Sequence, residues 1–197
     1  MGASDVPRST DYALLGVLAQ GGPMSGYDAR AYLEASIAQF WSESFGQIYP
    51  ALERLRRLRL VRCRADATSA RARKVYEITD AGRDRLAAWL AEPPEPERPR
   101  SEVILKTFLG DQAAPGVATS HLRALAESMD RRAAGLEQIE AAVRASDAGS
   151  PSLPYACASI RAGVLLSRAR AAWAREAIAL IEAHEKPTRS TSGRRGS

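Results

Sequence analysis

At 197 residues, with 45% apolar and 26% charged side chains, the chain is long enough for one substantial core or two small ones and has an ordinary globular composition. No run approaches about 18 apolar residues, and Met1-Gly2-Ala3-Ser4-Asp5-Val6 lacks the marks of a signal peptide or myristoylation site, so a membrane span is not expected and a cytoplasmic protein is. The formal net charge of +5 favours polyanionic partners, most of all because Arg54, Arg56, Arg57, Arg59, Arg62, Arg64, Arg71, Arg73 and Lys74 crowd one stretch in which Asp66 follows as the lone acid.

Chemistry-bearing clusters are missing. Cys63 and Cys157 form no Cys-x-x-Cys pair, and His121 and His184 have no second donor at ligand spacing, so neither a disulfide framework nor a metal site is indicated and no cofactor is expected. Nothing in the chain supplies a nucleophile with its base, paired carboxylates in a pocket or a phosphate-cradling glycine loop. An enzyme is therefore not expected.

Taken in order, Met1 to Ser9 are expected to be disordered, and Thr10 or Asp11 can cap a first helix carrying Ala13, Leu14, Leu15, Val17 and Leu18. Gln20-Gly21-Gly22-Pro23 ends it. Ser25 caps a second helix through Tyr27, Ala31, Leu33, Ala35 and Ile37, and its backbone N–H groups can seat a phosphate, with a plain helix cap as the other reading. Phe40, Trp41 and Phe45 are read as packing between helices. A third helix, capped by Ser42 or Ser44, buries Ile48, Ala51, Leu52, Leu55 and Leu58 at three-and-four spacing, with Pro50 tolerated in its first turn. Its other face carries Gly46, Pro50, Glu53 and Arg57 flanked by Gln47, Tyr49 and Arg54, groups suited to a nucleic-acid groove, with a solvated amphipathic face as the other reading.

Alternation in Leu60-Val61-Arg62-Cys63-Arg64-Ala65 and Lys74-Val75-Tyr76-Glu77-Ile78-Thr79 predicts two strands joined by a polar loop that carries Arg71 and Arg73. Three helices and a basic hairpin are the order of a winged helix-turn-helix, whose third helix enters the major groove while the wing touches the backbone. Thr79 or Asp80 caps a further helix, Gly82 to Ala91, with Leu86, Trp89 and Leu90 on one face. Glu92-Pro93-Pro94-Glu95-Pro96-Glu97-Arg98-Pro99 then makes a stiff spacer. The expected organisation is a DNA-binding domain over 10–91, a Pro-rich linker over 92–100, a helical dimerisation domain over 101–186 and a disordered tail over 187–197.

In that second half, Ser101 to Leu109 is a short helix with Val103, Ile104, Leu105, Phe108 and Leu109. Pro115 opens a long helix to about Ala145, in which Leu122, Leu125, Met129, Leu136, Ile139 and Val143 repeat at heptad spacing around Arg132. Tyr155 to about Glu185 forms a second, alanine-rich one with Ile160, Val164, Leu165, Trp173, Ile178 and Ile181. Helices of about 30 residues extend about 45 Å, so the antiparallel pair is expected to pack against a second copy, with Leu122, Leu125, Met129, Leu136, Ile139, Val164 and Trp173 in the contact; a monomeric helical hairpin is the alternative.

The segments Tyr12-Ala13-Leu14-Leu15-Gly16-Val17-Leu18, Gly22-Pro23-Met24-Ser25-Gly26-Tyr27-Asp28, Gly46-Gln47-Ile48-Tyr49-Pro50-Ala51-Leu52 and Val75-Tyr76-Glu77-Ile78-Thr79-Asp80-Ala81-Gly82 together resemble the PadR family of transcriptional regulators, in the form with a longer Vir-type C-terminal part. The resemblance implies a mainly α protein, a winged helix-turn-helix with a two-stranded wing followed by long helices, acting as a homodimeric repressor. It places recognition positions at Ser44, Gln47, Tyr49 and Arg54, to which the residue reading adds Ser25, Arg57, Arg71, Arg73 and Lys74. It also implies a small aromatic or hydrophobic effector; Trp89, Tyr155 and Trp173 are the aromatics that could line its site, with plain packing as the other reading, and the ligand-binding residues stay unknown. Arg59 stands where the family has a glycine leaving the recognition helix, so it must either adopt a left-handed conformation or reshape the turn. The wing has Ala70 and Ala72 in place of its usual glycines. The alternative function is a helical scaffold whose basic face docks an acidic partner.

Overall fold

A computed structural model describes residues 7–36, 47–66, 73–96, 100–146 and 149–185. Two compact units divide the chain, residues 1–97 and 98–197. Among the described residues, no helix is long and apolar enough to cross a membrane.

The first unit begins with α1 (Ser9–Gly21). Its start departs from expectation. Arg8 occupies the N-cap position, and Asp11, one turn in, accepts a hydrogen bond from the Arg8 backbone N–H at 2.7 Å, half of a capping box. After Gly22 in the left-handed region (φ 74°), β1 (Met24–Ser25) leads into α2 (Gly26–Ser36). Ser25 caps α2 as its sequence implies, and the helix buries Ala29 and Leu33, while Tyr27 and Ala31 point outward. Ile37, Phe40, Trp41, Ser42, Ser44 and Phe45 lie outside the described residues.

The third helix, α3 (Ile48–Arg57), buries Ile48, Ala51, Leu52 and Leu55 as the spacing demands. Pro50 falls in its first turn, where a missing N–H costs nothing. The helix ends in a Schellman arrangement: Leu60 N–H donates to Leu55 O and Arg59 N–H to Arg56 O, both at 3.0 Å. Arg59 itself sits at φ 60°, the first of the two options its position left open. A side chain there costs roughly 1–2 kcal/mol, partly offset by the freedom glycine would lose on folding. Arg59→Gly is therefore expected to raise the urea midpoint by a gain of about 0.5–1 kcal/mol; a lowered midpoint would mean that the arginine side chain stabilises the turn.

Strands β2 (Val61–Asp66) and β3 (Arg73–Ile78) pair antiparallel, Val61 opposite Ile78 and Asp66 opposite Arg73. The wing is wider than two strands. β1 adds on the far side of β3, with Met24 opposite Tyr76 and Ser25 opposite Val75, giving the order β1-β3-β2. Thr79 caps α4 (Asp80–Ala91) by accepting from Gly82 N–H at 3.1 Å, and its hydroxyl lies within reach of the Arg59 and Leu60 carbonyls. Gly82 has to be glycine, since a Cβ there would stand 2.1 Å from the Leu60 carbonyl oxygen. On α4, Leu86 and Trp89 pack on the core and Trp89 stacks on Tyr12 at 4.5 Å between ring centres, whereas Leu90 is exposed.

In the second unit, α5 (Glu102–Phe108) leads through a 3-10 turn (Gly110–Gln112) to α6 (Val117–Ser146) and α7 (Leu153–Glu185). The heptad seam is closed within one chain. Leu122 and Ala126 pack against Ala174 and Ala177, and Leu136 against Ile160 and Val164. Ala133, not Arg132, occupies the seam; Arg132 is exposed. Ion pairs Arg123–Glu182, Asp130–Arg175 and Glu137–Arg168 recur every seven residues on both helices, which fixes one antiparallel register. Leu122, Leu136 and Val164, expected between copies, are thus interior to the hairpin, with Leu125 and Trp173 packed beside the first cluster. Met129 is half-buried and Ile139 is exposed. On α5 only Val103 joins the core, leaving Ile104, Leu105 and Phe108 outside it.

Candidate nucleic-acid interface

The outer face of α3 presents Gln47 at the N-cap position and Tyr49, Pro50 and Arg57 behind it, all exposed. Tyr49 leans across the first turn of α2, which is possible because residue 26 is glycine: a Cβ there would come within 2.7 Å of the Tyr49 ring. Together α2, α3 and β3 border a concavity of about 390 Å³ whose rim carries Tyr27, Tyr49, Glu53, Arg73 and Lys74.

Most of the arginines around this face are already paired. Arg54, expected to reach a base or phosphate, instead turns inward: its Nε and Nη2 donate to Asp11 Oδ2 and Oδ1 at 2.8 and 2.6 Å, and Asp11 is fully buried. A guanidinium so held, 13% exposed, is not free for DNA. The Asp11 hydrogen bonds also push the Arg54 pKa further up. Arg62 makes a two-pronged pair with Glu77, to which Arg64 adds at 3.0 Å. Arg62 holds the Glu77 carboxyl below the usual carboxylate range. Glu53 takes Arg56 at 2.9 Å and the Tyr76 hydroxyl at 3.2 Å, with Lys74 at 3.9 Å. The Arg56 hydrogen bond lowers the Glu53 pKa, and burial pushes the Tyr76 phenol up to about 12, so that hydroxyl stays a donor near neutral pH.

Ser25 does not wait open for a phosphate. Its hydroxyl donates to Asp28 at 2.8 Å and lies 2.9 Å from Arg73 Nη2, which also reaches Asp28 Oδ1 at 2.8 Å. Arg57 makes no ion pair among the described residues. Ser44 and Arg71 lie outside the described residues. Tyr27, 69% exposed at the start of α2, is a rim residue absent from the sequence-predicted contacts; Ala29 beside it carries the buried stripe.

Residues 14–88 match the model of the transcriptional regulator PadR-like family, and residues 99–182 that of the virulence activator alpha C-terminal domain. The chain belongs to the PadR-like family of transcriptional regulators. The negative transcriptional regulator PadR of Bacillus subtilis (strain 168) is 36% identical over 103 residues, which is 51% of this chain and 56% of the relative, so the chain spans about half the length of that curated relative in the match. Structural likeness runs further. The crystal structure of Bacillus subtilis PadR in complex with operator DNA superposes with a TM-score of 0.75 at 25% identity, covering 88% of this chain and 99% of that one. The Vibrio cholerae virulence activator AphA gives a TM-score of 0.73 at 28% identity over 89% and 99%. The Bacillus subtilis protein has also been solved with p-coumaric acid, at TM-score 0.72 and 25% identity over 89% and 99%. For this PadR-like chain, membership in a family of regulators favours control of transcription over a scaffold and over catalysis.

Proposed function

We propose that this PadR-like regulator is a cytoplasmic homodimeric repressor that binds an inverted repeat in duplex DNA through residues 10–91, associates through residues 101–186, and is released by a small aromatic or hydrophobic effector. The observation that carries the reading is the exposed face of α3, with Gln47, Tyr49 and Arg57 outward while Arg54 fixes the helix from behind. Gln47 offers a donor and an acceptor to an adenine edge; the Tyr49 hydroxyl, Arg57 and Lys74 hold phosphates. With Arg54, Arg56, Arg62, Arg64 and Arg73 paired internally, the salt dependence comes from few cations, at roughly 0.9 log units per phosphate neutralised.

The Bacillus subtilis relative is a negative transcriptional regulator, which supports repression, and its complexes with operator DNA and p-coumaric acid support a DNA site coupled to a small-molecule site. An effector releases DNA only by binding the DNA-incompetent form more tightly. For association, the apolar residues left outside the hairpin core are the candidates: Ile139, Tyr155, Leu165 and Leu166, with Ile104, Leu105 and Phe108 on α5.

Anisotropy titrations of duplex from upstream of the protein's own gene, beside a scrambled duplex, test the α3 assignment. Gln47→Ala is expected to lose about 1–3 kcal/mol on the specific duplex and nothing on the scrambled one. Equal losses on both would remove Gln47 from sequence reading.

A further inference from the structure

Asp28 is an acid on the surface proposed to face DNA, where a negative charge opposes binding. It sits in the first turn of α2, the place a helix dipole offers to a phosphate. The chain fills that place itself. Asp28 Oδ2 accepts from the Ser25 hydroxyl at 2.8 Å and from Ser25 N–H at 3.4 Å, while Asp28 N–H donates to Ser25 Oγ at 3.2 Å. This reciprocal cap is closed from outside by Arg73 Nη2, which reaches Asp28 Oδ1 and Oδ2 at 2.8 and 2.9 Å and Ser25 Oγ at 2.9 Å. Arg73 opens β3, and two residues on, Val75 pairs with Ser25 across the sheet. One carboxylate therefore ties the wing strand to the N-terminus of the helix that precedes the recognition helix.

We infer that Asp28 is a positioning residue for DNA binding: it clamps Arg73 so that the wing and the start of α2 are presented as one surface, and Arg73 is an internal tie, not a phosphate contact. This rests on the DNA-binding reading above, and it revises the expectation that Ser25 and Arg73 touch the duplex. Two opposing effects make it decidable. Removing a negative charge near DNA tightens binding, whereas releasing the tie weakens it.

Two measurements on the full-length protein test it. In anisotropy titrations across a salt series, Asp28→Asn and Arg73→Gln are each expected to weaken binding about fivefold, about the ceiling for a half-exposed pair. The double variant is expected to be no weaker than either single one, and the salt slope to stay at the wild-type value throughout. Tighter binding by Asp28→Asn, multiplying losses in the double variant, or a slope reduced by about 0.9 in Arg73→Gln would overturn the inference. In the free protein, hydrogen exchange of the β3 amides near Arg73 is expected to accelerate in Asp28→Asn while α4 is unchanged. Unaltered exchange there would overturn the tie whether or not the protein binds DNA; failure of the wild type to bind DNA would instead overturn the functional reading.

Discussion

Asp11→Ala is expected to destabilise the N-terminal unit by about 3–5 kcal/mol, nearer the lower figure because the partner keeps slight access to water. Asp11 has no exposure of its own and accepts from Arg8 N–H, Arg54 Nε and Arg54 Nη2 at 2.7, 2.8 and 2.6 Å. Truncation leaves the Arg54 guanidinium, 13% exposed, without the one ionic partner it has among the described residues and opens the start of α1. The cost comes from the stranded cation, not from the worth of the pair itself, so replacing both members by apolar residues of similar size, Asp11→Leu with Arg54→Met, should restore most of the loss. Urea unfolding measures both. A single-variant loss below about 1 kcal/mol would place the pair in the class of weak surface bridges and remove the anchor that sets α3 against α1.

Leu136→Ala is expected to cost about 2–5 kcal/mol in the C-terminal unit. Leu136 lies buried against Ile160 and Val164, and its Cδ1 would stand only 2.9 Å from a Cβ on Gly163, so the facing helix has a recess shaped to it. Alanine would leave that recess empty. By contrast Leu166→Ser, at a position 66% exposed, should change the stability of the hairpin by no more than about 0.5 kcal/mol and act instead on association between copies. Thermal unfolding by circular dichroism and sedimentation velocity separate the two. If Leu136→Ala dissociated the protein without lowering its helix stability, the seam would belong between subunits after all.

That pair of variants marks the border of what the amino-acid order could reveal. Heptad spacing is the same whether the partner helix lies in the same chain or another, and the hairpin shows only in the packing of Ala174 and Ala177 opposite Leu122 and of Ile160 and Val164 opposite Leu136. The α3 stripe, the strands around Cys63 and Tyr76 and the Thr79 cap were readable because each depends on neighbours within a few residues. The basic stretch was misleading for the opposite reason. Its neutralising carboxylates, Asp11, Asp28 and Glu77, come from outside the stretch, so a local tally of charge overstated the free cations. β1, two residues long, is too short to show alternation, and Ala29, which carries the inner face of α2, is too small to stand out beside Tyr27.

Hydroxyl-radical footprinting on the DNA upstream of the protein's own gene tests most directly whether two α3 helices read successive major grooves. Two symmetric patches of backbone protection are expected, their centres about 34 Å apart, one helical turn, both lost in Gln47→Ala at the same protein concentration. A single patch, or protection that spreads evenly regardless of sequence, would contradict it.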